Sequence, residues 1–285
     1  MRLRSGLLIG FFGLVVVLLG GWFFTIAVAL LTYLALLEFF RMAEFTGIKP
    51  ATKTTLFSCF VITISTYLEA IGILDKEISN SILPMCSVGI CTWLLLQPKS
   101  GKISDIAASI FGLFYLGFLP SYWIKLRTLE STANETISGS LSIGSLSNST
   151  GLYLTLISCL LIVASDIGSF FIGKSLGKTA LSPISPSKTI EGLIGGIMCS
   201  ITVAIFFALL LRWENPFLIA IFYGILVSLM ALVGDLIESM MKRDAKLKDS
   251  GTFLPGHGGI LDRIDSYIFT PSVIYYLIMI LKFFN

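Results

Sequence analysis

The chain has 285 residues, of which 55% are hydrophobic and only 13% are charged, so it carries more apolar surface than a soluble core of this size can bury. Its net charge of +3 comes from basic residues scattered between apolar stretches, which argues against a nucleic-acid partner. Composition therefore predicts an all-α, polytopic membrane protein that uses lipid as its solvent.

The predicted membrane-spanning helices follow one another along the whole sequence. The first apolar stretch, 7–37, is too long for one upright span, and Gly20-Gly21 near its middle predicts a break into two helices. Seven further spans bring the total to about nine: 54–74, 79–96, 106–123, 152–173, 190–211, 216–234 and 267–280.

A polar stretch divides this series of spans. Residues 130–150 are rich in Ser, Thr, Asn and Gly, and they predict a flexible loop on the outer side. The chain is accordingly interpreted as residues 1–150, with the N-terminal transmembrane helices and the outer loop, and residues 151–285, with the C-terminal transmembrane helices and the catalytic site.

The distribution of Lys and Arg predicts the orientation of the chain. When the basic residues are assigned to alternate sides of the nine spans, 15 of the 20 fall on the side of the N-terminus. The remaining five are Lys76, Lys125, Arg127, Arg212 and Lys282. The positive-inside rule then places the N-terminus and the loops 174–189 and 235–266 in the cytosol. A bacterial inner membrane, with the active site facing the cytosol, is the expected location.

The segment 235–265, which joins the last two spans, carries most of the candidate chemistry. It holds six of the 17 acidic residues, five of the 20 basic residues and the single histidine of the sequence. If the flanking spans continue as helices, two sets of polar residues each share a face: Asp235, Ser239 and Lys242, and Asp262, Asp265 and Ser266. Carboxylates flanked by Lys and Arg suit a Mg²⁺–phosphate site. A solvated loop without a ligand is the alternative.

Four glycines and a proline lie in the stretch 251–259 of this segment. Glycine allows backbone amides to approach an anion closely, which favours phosphate binding. A tight re-entrant turn without a ligand remains the alternative interpretation of the glycines.

The order of residues in this segment is also specific. The positions read Ser239-x-x-Lys242-Arg243, then Lys248-Asp249-x-Gly251, then Leu254-Pro255-x-His257-Gly258-Gly259-x-x-Asp262-Arg263-x-Asp265. This pattern resembles the signature of the phosphatidate cytidylyltransferases, the CDP-diacylglycerol synthases, at every position.

A second stretch resembles the same family more loosely. It reads Ser165-Asp166-x-Gly168, then Gly173-Lys174-x-x-Gly177-Lys178, then Ser185-Pro186-x-Lys188-Thr189-x-Glu191-Gly192. Asp166 lies near the predicted cytosolic end of a span, where an ionisable group is expected to face a partner or a ligand. Attraction of anionic lipid headgroups is an alternative task for the lysines.

The resemblance implies transfer of the cytidylyl group of CTP to phosphatidic acid, giving CDP-diacylglycerol and pyrophosphate, in phospholipid biosynthesis. It implies a homodimer among membrane lipids and a Mg²⁺ ion held by Asp235 and Asp262, with a second cation left open. Catalytic roles are expected of Lys242, Arg243, Lys248, Asp249, His257, Arg263 and Asp265. Substrate binding is expected of Asp166, Lys174, Lys178, Ser185, Lys188, Thr189, Glu191, Ser239, Gly258 and Gly259.

Two other classes of function compete with this one. The first is a CTP-dependent relative that acts on a polyprenol, phytol or an archaeal ether lipid, which would bind CTP through similar charged residues. A transporter or channel also uses intramembrane charges such as Glu69 and Asp166, although Glu69 is equally well interpreted as a satisfied structural residue. Against transport, the sequence shows no obvious internal repeat, and its polar residues concentrate near one end.

Overall fold

The structure, a computed structural model, describes residues 2–97, 101–129, 150–213, 215–251 and 258–284, with the side chains of 2–9 and 281–284 left aside. Within these ranges the chain is mainly helical and forms no named strand, and Ala180 and Thr189 form an isolated antiparallel bridge. This confirms the predicted all-α fold. Most of the predicted outer loop, residues 130–149, lies outside the described residues.

The helices follow in chain order, with a π-helical segment, Leu113–Phe118, between the fifth and the sixth. The α-helices are α1 (Arg2–Leu19), α2 (Gly21–Phe45), α3 (Thr52–Ala70), α4 (Lys76–Leu95), α5 (Ile103–Gly112), α6 (Leu119–Arg127), α7 (Thr150–Leu176), α8 (Ile190–Leu210), α9 (Pro216–Asp244), α10 (Leu261–Ile268) and α11 (Thr270–Phe284).

Six helical stretches are long and apolar enough to cross a membrane, which agrees with a multi-pass membrane protein. They are Gly21–Phe45, Lys76–Leu95, Ile103–Arg127, Thr150–Leu176, Ile190–Leu210 and Pro216–Asp244. Ser, Thr and charged residues dilute the apolar content of α3, and α11 has only 15 residues. The predicted count of nine spans is therefore not confirmed, and the cytosolic N-terminus stays a prediction.

The predicted break near Gly20 is present. Helix α1 ends at Leu19 and α2 begins at Gly21, and both glycines adopt positive φ, 63° at Gly20 and 51° at Gly21. Because side chains other than hydrogen are strained in this region of backbone space, the glycine pair is what allows the chain to change direction here.

The chain divides into two compact units. The first comprises Met1–Lys125 and Met241–Ile268, and the second comprises Leu126–Met240 and Phe269–Asn285. The charged segment thus contributes to the first unit, together with the N-terminal helices. The division at residue 150 drawn from the sequence is a different partition and stays a prediction.

In the first unit, α2 packs closely against α5 and the π-helical segment. Leu36 and Phe40 of α2 are buried, as is Tyr115 of the π-helical segment. A Cβ atom on Gly112 would lie only 2.9 Å from Leu36 and 3.1 Å from Phe40. The missing side chain therefore allows the helices to approach, which is how small residues favour helix packing in membranes.

In the second unit, small residues bring α7 and α8 together. A Cβ atom on Gly192 would lie 2.9 Å from the carbonyl oxygen of Ser169, and one on Gly196 would lie 2.8 Å from that of Ser165. Ser165 also shares a 2.7 Å hydrogen bond with Ser228 of α9. These contacts fix three helices against one another and hold the polar residues at their ends in place.

Candidate active site

In the second unit, a lysine just before α8 forms an ion pair with a carboxylate of α9. Lys188 Nζ, just before α8, pairs with Asp235 Oδ2, and the side chains of the two residues are 24% and 32% exposed. Ser239 Oγ donates a 3.4 Å hydrogen bond to Asp235 Oδ1 from one turn further along α9. Since α9 continues as a helix to Asp244, the predicted common face of Asp235 and Ser239 is confirmed.

Asp166 of α7 belongs to the same group of charges. Its exposed carboxylate lies within electrostatic range of both Asp235 and Lys188. The structure therefore brings together three residues that the sequence assigns to substrate or metal binding. The positive charge of Lys188 reduces the repulsion between the two carboxylates.

The loop before α8 is ordered by its own backbone. Leu181 N donates to Lys188 O at 2.7 Å, and Ile190 N donates to Thr179 O at 3.0 Å. Together with the bridge between Ala180 and Thr189, these bonds form a short hairpin. The hairpin fixes the backbone that carries Lys188.

Two predicted substrate-binding residues, Thr189 and Glu191, also act on the backbone of this loop. Thr189 is the N-cap of α8, and its hydroxyl accepts from Gly192 N at 3.1 Å. The Glu191 carboxylate accepts from Lys178 N at 3.1 Å and from Thr179 N at 3.2 Å. Both side chains thus stabilise the hairpin, and their predicted contact with substrate stays a prediction.

The remaining predicted residues of this stretch lie around the hairpin. Lys174 and Lys178 are exposed, and Lys174 Nζ lies 5.8 Å from the centroid of the Phe170 ring. Ser185 is buried, and its carbonyl accepts from Lys188 N at 3.0 Å. Exposed lysines at this place suit either a phosphate or an anionic lipid headgroup.

In the first unit, Asp262 and Lys242 form a second, less exposed pair. Lys242 Nζ lies 2.8 Å from Asp262 Oδ1, and the two side chains are 18% and 11% exposed. Asp262 Oδ2 accepts from Gly259 N at 2.7 Å and from Ser250 N at 3.0 Å, and it lies 3.0 Å from Ser250 Oγ. Because Asp262 is in the first turn of α10, its charge also suits the positive end of the helix.

The other charged residues of this segment differ in exposure. Arg243, Lys248, Asp249 and Arg263 are exposed, and Asp265 is half-buried with its carboxylate accepting from Ser266 N at 2.8 Å. Helix α10 confirms the predicted common face of Asp262, Asp265 and Ser266. The predicted residue His257 lies outside the described residues.

Gly258 must be glycine for two independent reasons. Its φ is +80°, and a Cβ atom there would lie 2.6 Å from Asp262 Oδ2. Gly259 is buried and donates its amide to Asp262. In this structure the two glycines therefore serve the close approach of the Asp262 carboxylate, and their predicted contact with substrate stays a prediction.

Glu38 of α2 is a polar residue to which the sequence analysis assigned no role. It is 4% exposed, and its carboxylate accepts from Ile260 N and Leu261 N, each at 2.9 Å, and from Ser250 Oγ at 3.0 Å. The available signal was a carboxylate directly after an apolar run. It went unused because the predicted span ended at residue 37, whereas α2 continues to Phe45.

Glu69, by contrast, has a structural explanation. Its carboxylate pairs with Lys125 Nζ at 2.9 Å within the first unit, and both side chains are largely buried. A paired carboxylate of this kind favours the structural interpretation of Glu69 over a role in an ion pathway.

The fold and these charged pairs define a multi-pass membrane protein with polar residues gathered at the ends of apolar helices. The chain belongs to the cytidylyltransferase family, whose sequence model matches residues 1–281. This confirms the family resemblance found in the sequence, and with it the assignment of the chain as an enzyme of this class.

Relatives from bacteria and a plant agree with this family. The phosphatidate cytidylyltransferase of Synechocystis sp. is 42% identical over 272 residues, which cover 93% of this chain and 91% of the relative. That of Bacillus subtilis is 31% identical over 97% of this chain and 96% of its own length. Phosphatidate cytidylyltransferase 4, chloroplastic, of Arabidopsis thaliana is 38% identical over 91% of this chain and 68% of its own length.

Proposed function

We propose that the chain transfers the cytidylyl group of CTP to phosphatidic acid, giving CDP-diacylglycerol and pyrophosphate. The observation that carries this proposal is the near full-length similarity to proteins named phosphatidate cytidylyltransferase. The two lysine–carboxylate pairs support it, because both substrates are polyanions that require cations and a metal-binding carboxylate.

In the proposed reaction, a phosphate oxygen of phosphatidic acid attacks the α-phosphorus of CTP. The bond from that phosphorus to the oxygen bridging the α- and β-phosphates breaks, and pyrophosphate leaves with the electron pair. The attacking oxygen is already anionic at neutral pH, so the reaction needs little base catalysis. It needs positioning and charge neutralisation, which the lysines and arginines provide.

Each lysine of the two pairs can change partner during this reaction. Lys188 and Lys242 neutralise Asp235 and Asp262 in the structure. We propose that they turn towards phosphate oxygens when CTP is bound, while Arg243, Lys248 and Arg263 add positive charge around it. His257 is proposed to donate a hydrogen bond to phosphate, and Asp249 and Asp265 to orient the cations.

We retain Asp235 and Asp262 as the proposed Mg²⁺ ligands. Hard carboxylate oxygens suit this ion, and when bound it would neutralise phosphate charge and stabilise the leaving pyrophosphate. Asp235 fits as found, since a third of its side chain is exposed. Asp262 would bind the ion through Oδ1 after Lys242 has moved away from it. Its other oxygen, Oδ2, already accepts hydrogen bonds from backbone amides.

The site is proposed to face the cytosol, where CTP is made, in a bacterial inner membrane. The excess of Lys and Arg on the N-terminal side of the predicted spans supports this orientation. A homodimer is retained as the assembly that the family resemblance implies.

The reaction is tested with purified protein in detergent, CTP labelled at the α-phosphate, phosphatidic acid and Mg²⁺. We expect a labelled lipid that depends on all three additions. Parallel reactions replace phosphatidic acid with a polyprenol, phytol or an archaeal ether lipid. The reactions with alcohols are also run with CTP labelled at the γ-phosphate, because an alcohol that is phosphorylated by CTP receives that phosphate. Label in one of those lipids alone would assign a different substrate, and absence of labelled lipid in every reaction, with either label, would favour a transporter.

A further inference from the structure

Glu38 is a carboxylate buried in an apolar helix. With 4% of its surface exposed, it is removed from water almost completely. A buried carboxylate is strongly destabilising unless donors surround it, so residues of this kind in membrane helices are retained for a specific task. The groups that donate hydrogen bonds to Glu38 therefore indicate what this task is.

Those donors come from a distant part of the chain. Oε1 accepts from Ile260 N, and Oε2 accepts from Leu261 N and from Ser250 Oγ. Leu261 is the first residue of α10, where amides have no partner within the helix. Glu38 therefore supplies an acceptor for the start of α10, from a helix more than 200 residues earlier in the sequence.

Two glycines of the charged segment permit this approach. A Cβ atom on Gly251 would lie 2.6 Å from Glu38 Oε1, and one on Gly259 would lie 2.7 Å from Glu38 Cδ. Any side chain at either position would displace the carboxylate. Part of the glycine content of this segment is thus explained by the close approach of the Glu38 carboxylate, and this explanation does not require a bound anion.

Glu38 and Asp262 share one donor, and their other donors are neighbouring backbone amides. Ser250 Oγ lies 3.0 Å from Glu38 Oε2 and 3.0 Å from Asp262 Oδ2, and its single hydrogen is donated to one carboxylate at a time. Along the backbone, Gly259 N donates to Asp262 and Ile260 N donates to Glu38. The two carboxylates together fix the turn that enters α10.

We propose that Glu38 is a positioning residue for the nucleotidyl-transfer site, which it serves by holding Asp262 in place to receive Lys242. This inference rests on the proposed function for its catalytic consequence, whereas the hydrogen-bonding consequence is independent of it. Glu38 does not act as a ligand of CTP, because it is buried and its oxygens are occupied by protein donors.

The test is Glu38→Gln, which keeps the shape and replaces one acceptor oxygen with a donor facing an N–H or O–H group. Amide hydrogen exchange in the peptide covering 258–268 is expected to accelerate about tenfold or more, with peptides of α7 unchanged. In the same preparation, kcat is expected to fall about 10–100-fold and the KM for CTP to change less than about threefold.

Glu44→Gln is the matched control, because Glu44 is an exposed carboxylate on the same helix. It should match the wild type in both measurements. Unchanged exchange and unchanged kcat in Glu38→Gln would overturn the proposal. A general loss of protection throughout the protein would also overturn it, since that result indicates a purely structural role.

Ser250→Ala keeps the test decisive if Glu38→Gln does not fold. It removes one donor while leaving both carboxylates, and it should accelerate exchange in the same peptide and lower kcat. No change in either would contradict the proposal. If the wild type lacks the proposed activity but Glu38→Gln still accelerates exchange only in that peptide, the proposed function fails while the hydrogen-bonding role of Glu38 holds.

Discussion

The two lysine–carboxylate pairs, one in each unit, have the same composition but different surroundings. Asp262 is 11% exposed and faces backbone donors in addition to Lys242. Asp235 is 32% exposed, and from the described residues it receives one long hydrogen bond in addition to Lys188. The Asp262 carboxylate therefore holds the protein backbone in place and also neutralises a lysine. The Asp235 carboxylate can exchange its partners for ligands.

The largest effect is expected for Asp262→Asn. The amide cannot neutralise Lys242 and it places a donor where the turn requires an acceptor, so CTP-dependent turnover should fall more than about 10³-fold. The protein should still insert into membranes and purify. Turnover is measured as labelled lipid formed, and Asp244→Asn, at the exposed end of α9, is the control. Wild-type turnover in Asp262→Asn would remove its catalytic role.

Asp235→Asn is expected to lower turnover about 10²-fold and to raise the Mg²⁺ concentration needed for half-maximal activity. Because Asp235 has fewer donors than Asp262 among the described residues, the thermal midpoint of Asp235→Asn should match the wild type, while that of Asp262→Asn should fall by several degrees. Magnesium titration and thermal unfolding in detergent measure the two effects. Equal loss of thermal stability in both variants would abolish the distinction between the pairs.

Replacing the lysine of each pair should show the same difference in stability between the two pairs. Lys242→Met leaves a largely buried carboxylate without its cation, so it should raise the KM for CTP about 10–100-fold and also lower thermal stability. Lys188→Met should raise the KM to a similar extent with little change in stability, because its pair is more exposed. Lys53→Met, on an exposed position of α3, is the control for loss of charge.

The smallest effect is expected for Ser239→Ala. Its 3.4 Å contact with Asp235 is long for a hydrogen bond and contributes little, so kcat/KM should change about twofold. A loss of more than about tenfold would mean that Ser239 contacts substrate directly, as the sequence predicted. Steady-state kinetics with CTP as the varied substrate distinguishes the two results.

Much of the helical framework could be predicted from local sequence. The glycine pair at Gly20 and Gly21 ends one helix and begins the next, and the polar residues of α9 fall on one face because the helix runs on to Asp244. Such features depend on residues within a few turns of one another. Periodicity and backbone preference are sufficient to find them.

The missed parts depend on contacts between distant residues. Nothing in the sequence around Glu38 indicates that its acceptors meet the amides of Ile260 and Leu261. Likewise, Gly251 and Gly259 suggested phosphate binding, whereas in the structure they permit close approach of the Glu38 carboxylate. Composition identifies a small residue, but only packing shows what approaches it.

The most direct measurement is the stoichiometry of products formed by purified wild-type protein from α-labelled CTP, phosphatidic acid and Mg²⁺, with Asp262→Asn and Asp235→Asn in parallel. The wild type should release one pyrophosphate for each labelled CDP-diacylglycerol, and both variants should be strongly impaired. No labelled lipid from the wild type, or wild-type product formation by both variants, would contradict nucleotidyl transfer by these carboxylates.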